Sequence, residues 1–137
     1  MSVNPYLNFQ GNCREAVEFY AKVFGTAPPR VTTFGEAPPN LAFPMDEATK
    51  SLIMHAEIDV MGTALMFSDV PPGMSLVVGN NLSVTIQTKD AQDIRRWFNG
   101  MKDGGKVMMD LAPQPWAKLY GFVTDKFGVG WQFNQTE

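Results

Sequence analysis

Two stretches of this chain, almost eighty residues apart, spell the same local structure. From Asn4 the chain opens extended, with Leu7 and Phe9 alternating against Tyr6, Asn8 and Gln10, and it turns at Gly11. Cys13, Ala16, Val17, Tyr20, Val23 and Phe24 then recur at helical spacing as one apolar stripe. Arg14, Glu15, Glu18 and Lys22 lie opposite, and Gly25 ends the helix. From Leu82 the pattern returns: Leu82, Val84 and Ile86 alternate with Ser83, Thr85 and Gln87. Asp90 then caps a helix whose inner face is Ala91, Ile94, Trp97, Phe98 and Met101, closed at Gly104-Gly105. At the first helix, Asn12 with Glu15 three residues on predicts a capping box. A helix that is apolar on one side is stable only against a sheet, so the rest of the chain must supply strands.

It supplies three after each helix. In the first half Arg30–Phe34 reads as a short strand, and the segment from Gly35 to Lys50, with Pro38, Pro39 and Pro44, reads as a loop holding one helical turn near Asp46–Thr49. Ser51–Val60 alternates, with Leu52, Met54, Ala56, Ile58 and Val60 on one face and Ile53, His55, Glu57 and Asp59 on the other. Met61-Gly62 is a two-residue turn into Thr63–Asp69. In the second half the strands are Lys106–Leu111, Leu119–Thr124 and Val129–Gln135, the last two joined by a tight turn at Asp125–Gly128. The fold class is therefore α+β, a duplicated βαβββ module within a single domain. The first module covers about 1–70, a connector about 71–80 and the second module about 81–137. One helix covers one face of four strands, so the other face of each sheet needs a partner. Two such sheets can close into a cup whose uncovered faces line a cavity, and a cavity is a place for a ligand.

The 137 residues, 45% of them hydrophobic, are enough to bury a core without a staple. A net charge of −3 with no run of Lys or Arg argues against a nucleic-acid or anionic-membrane partner. The sequence carries no long apolar span and no signal-peptide pattern. The lone Cys13 cannot form an internal disulfide, which fits a cytoplasmic protein. Cys13 opens a helix, where the dipole favours a thiolate, yet it also lies on the apolar stripe, which favours packing.

His55 and Glu57 are two residues apart on one strand and point the same way, with Cα atoms about 7 Å apart. If that face lines the cavity, they can serve as base and orienting carboxylate or help form an unusual metal site. The same pattern also fits a polar strand face meeting solvent or a dimer partner. Tyr6, Asn8, Ser68, Ser83, Thr85 and Gln132 belong to the strand faces away from the apolar positions, where in a closed cup they would orient a ligand by hydrogen bonding and otherwise would simply meet solvent. Trp116 follows Pro113-Gln114-Pro115 in what reads as a loop. It either walls the cavity, with Lys118 meeting an acidic ligand, or pins the loop as a plug.

Several blocks resemble a known family. Pro5-Tyr6-Leu7-Asn8-Phe9 with Gly11-Asn12-Cys13-Arg14-Glu15-Ala16-Val17-Glu18-Phe19-Tyr20 looks like the start of a PhnB-like protein of the vicinal oxygen chelate superfamily. Ile53-Met54-His55-Ala56-Glu57, Leu65-Met66-Phe67-Ser68-Asp69, Gly104-Gly105-Lys106-Val107, Trp116-Ala117, and Tyr120-Gly121 through Trp131 follow in family order. The resemblance implies the glyoxalase/bleomycin resistance fold, a cupped and mostly antiparallel sheet, and a homodimer that can share its cavities between subunits. It does not choose a reaction, because relatives include glyoxalases, extradiol dioxygenases, thiol transferases and bleomycin-sequestering proteins. A ubiquinone-methyltransferase label also occurs in the family, but this sequence has no glycine-rich nucleotide loop after a strand.

Metal-using relatives place His and Glu ligands at four strand positions. Carried over, these fall at Asn4 or Pro5, at Met66 or Ser68, at Ser83 and at Gln132. None is a strong donor for a divalent first-row ion, so the usual quartet is missing and no cofactor is expected from it. The leading expectation is a dimeric binder of a small organic ligand using Tyr6, Asn8, Met66, Ser68, Ser83, Thr85, Trp116, Lys118 and Gln132. The alternatives are a lyase or isomerase using His55 and Glu57, a dioxygenase-type or other metalloenzyme with displaced ligands, and a non-catalytic interaction module.

Overall fold

The computed structural model describes residues 1–36 and 45–136. The proline-rich loop expected at Pro38, Pro39 and Pro44 lies outside the described residues. The chain divides into two compact units, Met1–Val77 and Val78–Glu137. The described residues form an α+β fold with two four-stranded mixed sheets and three helices, and each unit follows the βαβββ order, with one extra short helix in the first.

In the first unit, β1 (Tyr6–Phe9) leads into α1 (Cys13–Phe24), followed by β2 (Arg30–Thr33), a single 3-10 turn, the short α2 (Glu47–Ser51), β3 (Ile53–Val60) and β4 (Thr63–Asp69). The strand order is β1-β4-β3-β2, with β1 parallel to β4 and the other pairs antiparallel. The predicted stripe of α1 is the buried one: Cys13, Ala16, Val17, Tyr20 and Phe24 pack on the sheet. Tyr20 stacks on Phe67, ring centres 5.6 Å apart. Gly25 ends the helix in the left-handed conformation, with φ 64°. Met61 and Gly62, at φ 55° and 84°, make the tight turn between β3 and β4, and Asp59 Oδ1 accepts from the Gly62 N–H.

Two local expectations fail here. Asn12 makes no side-chain capping bond. The N-terminus of α1 is instead held from across the sheet, where Asp69 Oδ1 accepts from the N–H groups of Gly11 (2.8 Å) and Cys13 (3.1 Å). Along β3 the alternation also breaks. The partner of Thr32 is His55 but that of Thr33 is Ile53, so Met54 is an extra residue that bulges. The bulge turns Ile53 to the helix side, where it is 1% exposed and lines a cavity of about 150 Å³ with Ala56 and Val17.

In the second unit, β5 (Ser83–Thr88) precedes α3 (Ala91–Met101), β6 (Lys106–Gln114), β7 (Ala117–Thr124) and β8 (Gly130–Gln135). The order β5-β8-β7-β6 repeats the first topology, again with one parallel pair, β5 with β8. Ile94, Trp97, Phe98 and Met101 are buried, and Phe98 meets Phe133 edge-on at 6.1 Å. Asp90 caps α3 as expected, accepting from the Gln92 and Asp93 N–H groups. The helix stops at Met101, before the predicted glycines, and Gly104 at φ 73° serves the turn that follows. β6 runs to Gln114, three residues past the expected end. Pro113 fits inside it because β6 is an edge strand, where a missing N–H need not break a ladder. Trp116 accordingly sits in a two-residue turn between β6 and β7, not in a long loop.

Asp125 organises the last turn. Its Oδ1 accepts from the N–H groups of Phe127 and Val129, and its Oδ2 from Trp131 Nε1 at 2.8 Å. The carboxylate is 3% exposed, and the bonds to it replace the water it has lost.

Candidate functional site

Each sheet has one face under its helix and one face without it, and the polar residues singled out in the sequence belong to the second kind. In the first unit Ala56 pairs with Phe67, and both are fully buried on the helix side. Pleating then turns the flanking residues to the other face. That face carries Tyr6 and Asn8 from β1, Met66 and Ser68 from β4, His55 and Glu57 from β3, and Arg30 and Thr32 from β2. His55 and Glu57 do share a face, but each is engaged elsewhere. Tyr6 Oη lies 3.3 Å from His55 Nδ1, with the rings 5.8 Å apart. Arg30 Nη2 lies 3.1 Å from Glu57 Oε1. The carboxylate is thus tied to the neighbouring strand and does not orient the imidazole. Ser68 donates to Asn8 Oδ1 at 3.2 Å, linking β4 to β1.

The second unit repeats the pattern with different chemistry. Phe133 and Trp131 are fully buried beneath α3, so Gln132 and Asn134 face away from it. Gln132 is bonded at both ends of its amide. Its Oε1 accepts from the Tyr120 hydroxyl, and its Nε2 donates to Ser83 Oγ at 2.7 Å. Burial pushes the Tyr120 phenol pKa up, so the group stays a neutral donor over the physiological range. Thr85 pairs with Gln132 on the same face and is exposed. Trp116 is 63% exposed and meets the Tyr120 ring edge-on at 5.5 Å. With Lys118, Gln114 and Thr136 it lines a groove of about 340 Å³ beside the β6–β7 turn.

The four positions expected from the resemblance offer amide, thioether and hydroxyl groups, and the amides and hydroxyls among them are already hydrogen-bonded. The Asn4 amide donates to Ala64 O, Ser68 to Asn8, and Gln132 to Ser83. This donor set does not fit a divalent first-row ion. No group of three or more His, Cys, Asp or Glu gathers in ligating geometry among the described residues. Cys13 is fully buried and its thiol is pushed up to about 12, chiefly by burial and then by the Asp69 charge. The helix dipole therefore does not make it a nucleophile.

Sequence reading missed Arg30 as the partner of Glu57, and it missed Tyr120 and Asn134 on the second face. Alternation places Tyr120 with Lys118 and Asn134 with Gln132, so the faces were readable. The cross-strand register that makes them neighbours was not.

Comparisons with known proteins agree with this architecture. The family described as 3-demethylubiquinone-9 3-methyltransferase matches residues 1–134. Protein YjdN of Escherichia coli is 30% identical over 141 residues, covering 98% of this chain and 95% of that protein. The crystal structure of protein PA1353 from Pseudomonas aeruginosa superposes with TM-score 0.86 at 36% identity, over 98% of this chain and 96% of the other. The fosfomycin resistance protein FosX of Listeria monocytogenes, whose structure is complexed with Mn(II), shares the fold at TM-score 0.61 and 9% identity, over 98% and 90% of the two chains. No described helix is long and apolar enough to cross a membrane.

Proposed function

Because this chain belongs to the 3-demethylubiquinone-9 3-methyltransferase family, a PhnB-like group with the glyoxalase/bleomycin resistance fold, we propose that it binds a small organic molecule on the helix-free faces of its sheets. It does so as a cytoplasmic homodimer and without the metal quartet of its metal-using relatives. One observation carries this reading. Two of the strand positions expected to carry ligands, Ser83 and Gln132, hold neutral hydrogen-bonding groups that are linked to each other and, through Gln132, to Tyr120. Such groups orient a neutral or weakly polar molecule through directional bonds, where a metal site would need carboxylates and imidazoles.

A thermal-shift screen against small acids, quinones and peptide antibiotics tests the proposal, because a ligand that binds only the folded chain raises its melting temperature. A demethylated quinone with and without S-adenosylmethionine belongs in the same screen, since the family description names that chemistry. A flat response across the library would remove the binding reading and leave the interaction module. Stoichiometric Zn, Ni or Mn in protein purified without chelator would overturn the metal-free reading. Sedimentation equilibrium decides the dimer.

The Tyr6–His55 contact favours a second reading, in which the imidazole and phenol move a proton on a bound substrate. Glu57, held by Arg30, plays no direct part in it. If a compound that the screen identifies is turned over, and its turnover survives His55→Ala, this reading is discarded.

A further inference from the structure

The second sheet holds a polar atom that the bonding of the chain leaves over. Asn134 stands on the helix-free face of β8, paired with Tyr120 on one side and Gln87 on the other. Its Oδ1 is buried and has no hydrogen-bond partner among the described residues. Buried acceptors are almost always paired, because water given up without replacement is costly, so an orphan on a sheet face calls for a partner from outside the chain. The next same-face residue along the strand is Gln132, on the order of 7 Å away. Both ends of its amide are committed, one to Tyr120 and one to Ser83. Ser83 Oγ accepts from Gln132 Nε2, which leaves its own O–H free to be donated outward. Trp116, 63% exposed, meets in an edge-to-face contact the ring of Tyr120, whose hydroxyl is bonded to Gln132.

We infer that this face is a subsite for an uncharged planar molecule that gives an N–H or O–H to Asn134 Oδ1 and accepts, at a carbonyl-type oxygen, from the Ser83 hydroxyl. Phenols bearing an amide or ketone on the opposite side of the ring carry both kinds of group. A carboxylate end offers only acceptors and would set a negative oxygen against the Asn134 carbonyl. The inference rests on the binding reading above and narrows the class of molecule bound.

Isothermal titration with 4-hydroxybenzamide, which carries both groups, and benzoate, which carries acceptors alone, tests it on the full chain. Wild-type protein is expected to bind 4-hydroxybenzamide in preference to benzoate. Asn134→Leu and Ser83→Ala are each expected to weaken that binding roughly ten-fold. Ligand-free Asn134→Leu should melt at or above the wild-type temperature, because it removes an unpaired acceptor. Benzoate bound as tightly as the amide, or unchanged binding in both variants, would overturn the subsite. An Asn134→Leu chain that melts well below wild type or fails to fold would do the same, since it would mean that the carbonyl is already paired in solution. If other compounds raise the melting temperature but 4-hydroxybenzamide does not bind, the subsite falls and the broader binding reading stands. A library with no binder at all ends both.

Discussion

The two modules solve one problem, the entry into the helix, in different ways. In the second, Asp90 caps α3 from its own position, bonding to the N–H groups of Gln92 and Asp93. In the first, the cap comes from the far end of β4. Asp69 is 2% exposed and takes N–H groups from Gly11, Cys13 and, through its other oxygen at 2.9 Å, Ile53. One carboxylate thus ties the β1–α1 turn, the helix start and the bulged start of β3 into one unit. A local cap stabilises a helix wherever the helix sits, whereas a tertiary cap works only if the sheet has already formed. The copies share a topology without sharing the bonds that secure it.

The largest expected effect comes from removing the tertiary cap. Asp69→Ala leaves three N–H groups, two of them in buried surroundings, without their acceptor, and it should cost about 3–5 kcal/mol in urea unfolding. The three tryptophans, Trp97, Trp116 and Trp131, all lie in the second unit, so their fluorescence reports that unit while far-UV circular dichroism reports both. An Asp69→Ala chain that loses part of its dichroism signal before its tryptophan signal shows the modules unfolding separately. Coincident curves show one cooperative body.

A second contrast lies at matched places in the two sheets. Ala56 faces Phe67 across β3 and β4, and Gly121 faces Phe133 across β7 and β8. The first module accommodates a methyl there. In the second, a Cβ on Gly121 would lie 2.7 Å from both Phe98 Cε2 and Leu111 Cδ2, because the ring of α3 fills that space. Gly121→Ala should therefore destabilise by about 1–3 kcal/mol. The loss should be read by tryptophan fluorescence, since Trp97 and Trp131 are buried in the same core. An unchanged midpoint would mean that α3 rides loosely enough on its sheet to move aside.

These contrasts mark where the sequence was legible. Period-two and period-3.6 patterns are local, so both long helices, seven of the eight described strands to within a residue or two, and the polar faces carrying His55, Glu57 and Gln132 could be read directly. Long-range choices could not. Asp69 reads as the polar end of a strand, and nothing near it in sequence says that it caps a helix 56 residues earlier. The Met54 bulge, which moves Ile53 into the core, depends on pairing with β2. Pro113 reads as loop because a proline penalty is counted without knowing that the strand is an edge. At the candidate site the same limit separates faces from partners, which is why Glu57 was set beside His55 while Arg30 holds it.

The smallest effects complete the comparison of the helix entries. Asp90→Ala removes a working local cap and should cost about 1 kcal/mol, measurable as a lowered urea midpoint. Asn12 occupies the matching place at α1, and its residue type would predict the same loss. Its side chain makes no capping bond and is exposed, and the Cys13 N–H at the start of the helix is taken by Asp69. Asn12→Ala should therefore change stability by less than about 0.5 kcal/mol, the range of a neutral surface substitution. In the Asp69→Ala background the same substitution gains meaning, because Asn12 stands at the N-cap position, from which a side chain can accept from the first turn. If Asn12→Ala costs about 1 kcal/mol only in that background, the local cap exists in reserve and the tertiary one displaces it. A loss of that size in the wild-type background would instead show that Asn12 caps α1 in solution, and the difference between the two modules would disappear.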